Sequence, residues 1–109
     1  MEFVVIGRAI DSANVPPQAA IALGKQSFQM MKSKQDPRVK AMYPFAGERA
    51  GVLIIEAKSG DELQEVLGSF PLSAISNFEI HPVATLDGVL QMVEGQERLL
   101  SAMSPAGVR

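Results

Sequence analysis

Cysteine and tryptophan are absent from the 109 residues, histidine and tyrosine each occur once, and aromatic residues make up only 6%. Without thiols the chain holds no disulfide, no thiolate metal site and no cysteine nucleophile, although this does not fix the compartment. One histidine without cysteine also argues against a dedicated transition-metal centre, and no glycine-rich phosphate loop occurs. An excess of either charge is missing too. Ten Lys and Arg against twelve Asp and Glu give a net charge of -2, with the signs interspersed. That argues against a nucleic-acid binder or a partner of anionic membranes. No segment approaches the roughly 20 apolar residues that span a bilayer. The first residues carry no basic region ahead of an apolar stretch, so a cytoplasmic location is the expectation.

What is present is globular in character. Apolar residues make up 47% and charged residues 20% of the chain, enough for one domain with a single packed core. The clearest unit runs from Gly51 to Val83. Ser59 and Glu62 stand in the S-x-x-E arrangement that satisfies free amides at a helix start, and Asp61 adds negative charge where the helix dipole favours it. Leu63, Val66, Leu67 and Phe70 follow at helical spacing. Pro71 ends the helix, because a proline pushes the preceding residue away from helical angles. Upstream, Gly51 to Ala57 is a β-branched run apolar on both faces. Downstream, Phe78 to Val83 alternates.

The first half repeats this order. Glu2 to Ile10 reads as a strand buried on both faces for most of its length, and Asp11 to Val15 as a turn. Pro16-Pro17 favours a helix start. From Gln18 to about Lys34, Ile21, Phe28 and Met31 form a stripe with Gly24 between them, widened by Ala20, Leu23 and Met30. Gly24 costs about 1 kcal/mol relative to alanine in a helix, which suits a site of close backbone packing. Asp36-Pro37 breaks the helix. Val39 to Phe45 alternates weakly, with Val39, Ala41, Tyr43 and Phe45 on one face, and Pro44 marks an edge strand or one that ends early. Ala46 to Gly51 is a turn whose Glu48 and Arg49 are expected to be surface charges.

The order β-α-β-β-α-β makes an α+β ferredoxin-like plait over residues 1–85, an antiparallel four-stranded sheet with both helices on one face. A third amphipathic segment, Leu86 to about Met103, adds a C-terminal helix capped by Thr85, and Ser104 to Arg109 reads as a frayed tail. The sheet face without helices is still apolar. A second copy covering it would form a dimeric α/β barrel, so a homodimer or higher homo-oligomer is expected. The last helix would cover the partner or its own open face.

The run Ser59-Gly60-Asp61-Glu62-Leu63-Gln64-Glu65-Val66-Leu67-Gly68-Ser69-Phe70-Pro71-Leu72, followed by Phe78-Glu79-Ile80-His81-Pro82-Val83, resembles the second half of the muconolactone delta-isomerase family. The resemblance is to an S-x-D-E-L-x-E-x-L-x-S-x-P-L run leading into an I-E-V-x-P-L-like strand. It implies a dimeric α/β barrel with a pocket between sheet and helices, in a group that also includes cofactor-free monooxygenases and decolourising peroxidases. The stretch Lys40 to Arg49 departs from the family's Arg- and aromatic-rich second strand, keeping Tyr43 and the Gly47 turn, and the C-terminal helix is an addition.

Isomerising a lactone double bond needs a base beside a carbonyl, an acid to return the proton and donors for the enolate oxygen. His81 is the candidate base, because it alone normally titrates near neutral pH. Glu79 shares its strand face and is the candidate orienter. Tyr43 is a candidate oxyanion donor or an interface aromatic. Arg8 is a candidate anchor for a substrate carboxylate or the ion-pair partner of Glu56, and Glu56 a candidate partly buried base. The six methionines suit an adaptable ligand-binding interior or ordinary core packing. The expected function is cofactor-independent proton transfer on a small lactone or organic acid. The alternatives are a non-catalytic small-ligand or interaction module, and a cofactor-free monooxygenase-like barrel.

Overall fold

A computed structural model describes residues 1–10 and 14–103. The turn expected from Asp11 and the tail expected from Ser104 fall wholly or partly outside these residues. The elements are β1 (Glu2–Ala9), α1 (Pro17–Lys32), β2 (Val39–Pro44), β3 (Ala50–Glu56), α2 (Gly60–Gly68), a short 3-10 turn (Pro71–Ile75), β4 (Ser76–Pro82) and α3 (Leu86–Met103). The strands form one antiparallel sheet in the order β2-β3-β1-β4. This is the ferredoxin-like plait, with β2 at an edge as Pro44 implied.

Local chemistry accounts for the boundaries. Pro17 opens α1. Ser59 caps α2, its Oγ accepting from the Glu62 amide at 3.1 Å. The Glu62 carboxylate reaches back one residue further than a standard capping box, accepting from the Lys58 amide at 2.9 Å. Thr85 Oγ1 caps α3 through the Gly88 amide at 3.0 Å. Gly47 takes a φ of 75° in the β2–β3 turn, a conformation that suits glycine.

The sheet's helix-facing side is read from its register in three rows. Phe3 lies opposite Ile55 and Pro82, Val5 opposite Leu53 and Ile80, and Gly7 opposite Gly51 and Phe78. The first two rows are core. Phe3, Val5, Leu53 and Ile55 are buried against Leu63, Val66, Leu67 and Phe70 of α2 and its exit. Fully burying each such aliphatic side chain contributes about 1.5–3 kcal/mol. The third row has no side chains to pack in β1 and β3, and a cavity begins there.

Four expectations need correcting. In β2 the register shifts between Val39 and Ala41, so Val39 joins Met42 on the core side while Ala41 and Tyr43 face the other way. The bulge at Lys40 breaks the alternation that pattern reading assumes. Helix α2 ends at Gly68, and Pro71 starts a 3-10 turn instead of directly terminating it. In α1 the only buried residue is Ser27, while Ile21 is 71% and Phe28 46% exposed. Finally, β1 is buried on one face only in the single chain, with Val4 and Ile6 half-buried on the other.

Ser27 explains how α1 is held. Its Oγ donates to the Leu23 carbonyl and accepts from the Leu72 amide, both at 2.8 Å. The helix thus rests on the 3-10 turn and makes its closest backbone approach there, not to the sheet.

A second polar tie joins the start of β2 to α2. Arg38 donates to both Asp36 oxygens at 3.0 and 2.9 Å and to Glu62 at 3.3 Å. Hydrogen bonding from the Arg38 side chain lowers the pKa of Asp36, and the bond from the Lys58 amide, aided by Arg38, lowers that of Glu62. The same bonds raise the pKa of Arg38, Asp36 contributing most.

Helix α3 has no buried residue. Its 18 residues extend the molecule to 70 Å, and it covers neither the open sheet face nor the core. Among the described residues no helix is long and apolar enough to cross a membrane.

Ser27→Ala is expected to destabilise the fold by about 1–3 kcal/mol in chemical denaturation, because it leaves the Leu72 amide without its acceptor. Stability should also fall on acidification. Both carboxyls have folded pKa values below their ordinary 3.8 and 4.5, so their contribution is present above those values and lost as pH drops through the lower folded ones. Arg38→Ala should flatten that acid limb in urea titrations below about pH 4.5.

Candidate functional site

Where the glycine row begins, α1 stands off the sheet over a cavity of about 860 Å³. Gly7 and Gly51 are cross-strand partners on its floor. A side chain at Gly51 would put Cβ 2.8 Å from Met42 Cε and 3.0 Å from the Tyr43 carbonyl oxygen, and one at Gly7 would put it 3.2 Å from the Phe78 ring. The paired absence of side chains makes the depth, a common reason for glycine inside a strand. Phe28, Phe70 and Phe78 supply aromatic walls, and Met31, Met42 and Leu53 fill the apolar surface between them. Such a chamber with few polar groups is the usual form of a small-molecule site.

Polar groups gather at the rim. Lys25 comes from α1, and Glu48 and Arg49 from the β2–β3 turn. Glu48 is the only carboxylate among the described lining residues and is ion-paired to Arg8 NH1. Glu48 and Arg49 are exposed, as expected, yet they border the cavity and are more than surface charges. Gly24 also lines it. A Cβ there would meet only the Phe28 ring, at 3.8 Å, so this glycine faces open space, and the close backbone packing expected of it is not found.

The residues singled out from the sequence lie on the opposite sheet face. The register places Tyr43, Val52, Ile6 and Glu79 in one row across it, and Ala41, Ile54, Val4 and His81 in the next. His81 Nε2 and Glu79 Oε2 are 2.5 Å apart, with side chains 55% and 59% exposed, so the expected orienting contact is present. Tyr43 is at the other edge, three strand spacings or about 14 Å from Glu79, and does not join that pair within one chain. Arg8 lies four residues along β1 from the strand partner of His81, about 13 Å away. The expected Arg8–Glu56 pair does not form. Arg8 holds Glu48, and Glu56 accepts from the terminal amine of Met1 at 2.8 Å.

The resemblance implied a pocket between sheet and helices, and the cavity lies there; its lining residues were missed because its floor joins residues that are distant along the chain. Gly7, interrupting the β-branched start of β1, was the available signal.

The family described as "Domain of unknown function (DUF3303)" matches residues 1–97. This chain belongs to that family. No curated protein matches the sequence. Among solved structures, muconolactone isomerase is similar to this DUF3303 chain with a TM-score of 0.66 at 17% identity, covering 78% of this chain and 90% of that one. The 5-chloro-2-hydroxyhydroquinone dehydrochlorinase of Burkholderia phenoliruptrix AC1100, in complex with 2,5-dihydroxybenzoquinone, is similar with a TM-score of 0.60 at 14% identity, covering 81% of this chain and 98% of that one. At these identities the likeness shows the fold, and it is the muconolactone isomerase-like fold that the Ser59–Leu72 run implied.

Gly24→Ala should stabilise the protein by about 0.4–1 kcal/mol, since it lowers unfolded-chain entropy and has room for the methyl group. Gly24→Trp places a ring in the cavity. It should abolish the fluorescence rise of an environment-sensitive apolar dye that the parent takes up.

Proposed function

We propose that the cavity binds a small lactone or organic acid and that the protein acts on it by cofactor-independent proton transfer, in the manner of an isomerase. The observation that carries this reading is the apolar chamber over Gly7 and Gly51 with Glu48, the single carboxylate among its described lining residues, at a rim that also carries Lys25 and Arg49. The names of the two similar structures, a muconolactone isomerase and a dehydrochlorinase in complex with 2,5-dihydroxybenzoquinone, support a substrate among oxygenated ring compounds.

In this reading Glu48 removes a proton beside a carbonyl. The electron pair moves onto the carbonyl oxygen, and the cations Lys25 and Arg49 offset the developing charge. The protonated Glu48 then returns the proton to a different carbon, which shifts the double bond and restores the carboxylate. Arg8 positions Glu48 through their ion pair.

A second reading keeps His81 as base, Glu79 as orienter and Tyr43 as oxyanion donor, favoured by the 2.5 Å His81–Glu79 contact on an apolar sheet face. It requires a second copy over that face to bring a Tyr43 near the pair and exclude water. We propose such a homodimer in either case, because Val4, Ile6, Val52 and Ile54 form the middle of a face that no described element of the same chain covers.

Solvent-deuterium incorporation into lactones and unsaturated acids, followed by proton NMR, tests the assignment whatever the product proves to be. Glu48→Gln should slow exchange by about 10²–10⁴-fold, while His81→Ala should leave it within a few-fold of the parent. The reverse pattern would move the chemistry to the open face. If the parent exchanges no substrate yet binds one, the protein is the non-catalytic module.

A further inference from the structure

A second recess adjoins the cavity. It lies between the end of α1 and edge strand β2 and measures about 450 Å³, and Phe28, Met31, Met42 and Pro44 line both it and the main chamber. The two spaces therefore share one apolar wall. Around the recess stand Lys32, Lys34 and Lys40, and no carboxylate is among the described residues that line it. None of the three ammonium groups has a hydrogen bond or ion pair with another described residue. In a chain of net charge -2, this is a local concentration of unpaired positive charge beside an apolar wall of the chamber.

The backbone departs from regular geometry at two of these lysines. Lys34 has a φ of 54°, the only positive φ at a non-glycine among the described residues. Its amide bonds to the Met31 carbonyl at 3.1 Å, in the left-handed exit of α1 where glycine is the cheaper residue. Lys40 sits in the β2 bulge between Val39 and Ala41. Bulges re-aim a side chain at the cost of a regular ladder. A strained turn and a broken ladder thus deliver side chains of one charge to one recess. Such irregularities persist where the structure around them holds them, and they cluster at functional sites.

We infer that this lysine-lined recess receives the carboxylate of an amphipathic acid whose apolar body extends into the main chamber. The inference rests on the reading of that chamber as a ligand site and narrows its ligand class. Of lactone and acid it selects the acid, with an anionic end at the lysines and its other end within reach of the Glu48 rim. Lys32, Lys34 and Lys40 are exposed, and the apolar side chains beside them replace part of the water around a bound carboxylate, which strengthens its attraction to the ammonium groups.

Calorimetric titration of the full chain with octanoate and with 1-octanol, the same chain without charge, tests this. The parent should bind octanoate at least about tenfold more tightly than octanol at low salt, and the advantage should shrink as salt is raised. Lys32→Ala/Lys40→Ala should lose most of that advantage and leave octanol binding unchanged. Lys34→Gly should raise Tm by roughly 4 °C, through relief of the left-handed strain, while weakening octanoate; this separates a ligand role from a folding role. If the variants bind octanoate as the parent does, or lose both ligands equally, the lysine recess is not an anion site, although the chamber still is a ligand site. Failure of the parent to bind either molecule would overturn this inference and the chamber reading together.

Discussion

One hydrogen bond decides how far α1 stands from the sheet. Ser27, fully buried, accepts from the Leu72 amide and so seats the helix on the 3-10 turn. A helix with a leucine at that position would bury its stripe by settling onto the strands. A hydroxyl whose partner lies on the turn opposes that move, since leaving the amide unpaired costs about as much as a buried aliphatic side chain returns. The height of α1 then leaves Ile21 and Phe28 facing space instead of core. The chamber follows from that height.

The sheet cooperates by dividing itself along its strands. At one end Phe3, Val5, Leu53 and Ile55 pack against α2 and carry the stability of the domain. At the other, Gly7 and Gly51 withdraw from packing. Core and chamber thus occupy successive rows of the same two strands and share Leu53, Leu67 and Phe70, which belong to the one and line the other. The Arg38 tie belongs to the stable end, joining Asp36 ahead of β2 to Glu62 at the start of α2.

The elements themselves were legible in the sequence because each obeys a single period. The strands β1, β3 and β4, the Ser59 cap, the Pro17 start and the Thr85 cap all follow from neighbours within a few residues. The site was less legible because it is made of departures from period. Lys40 is an inserted residue, the Pro71–Ile75 turn is too short to show a repeat, and the glycine floor exists only once Gly7 and Gly51 are in register. Alternation correctly put His81 and Glu79 on one face. It did not say that the chamber lies beneath the other, since a strand with apolar residues on both sides gives no sign of which one the helices choose.

That choice separates two tasks. The open face, with Val4, Ile6, Val52 and Ile54 at its centre, is apolar at the middle and polar at its margins, where Arg8, Glu79 and His81 stand. The chamber lies on the helix side, and the lysine-bordered recess beside it at the β2 edge. Helix α3 adds to the apolar surface left open, because Leu86, Val89, Val93, Leu100 and Met103 recur along it at spacings that gather apolar groups on one stripe, and all are exposed. A helix of this kind gains most of its stability from packing that stripe, and no described element of the same chain supplies the surface. Association through the open face would therefore bury apolar area without obstructing the chamber or the recess. Ligand binding and self-assembly would then be free to vary independently on the two sides of one sheet.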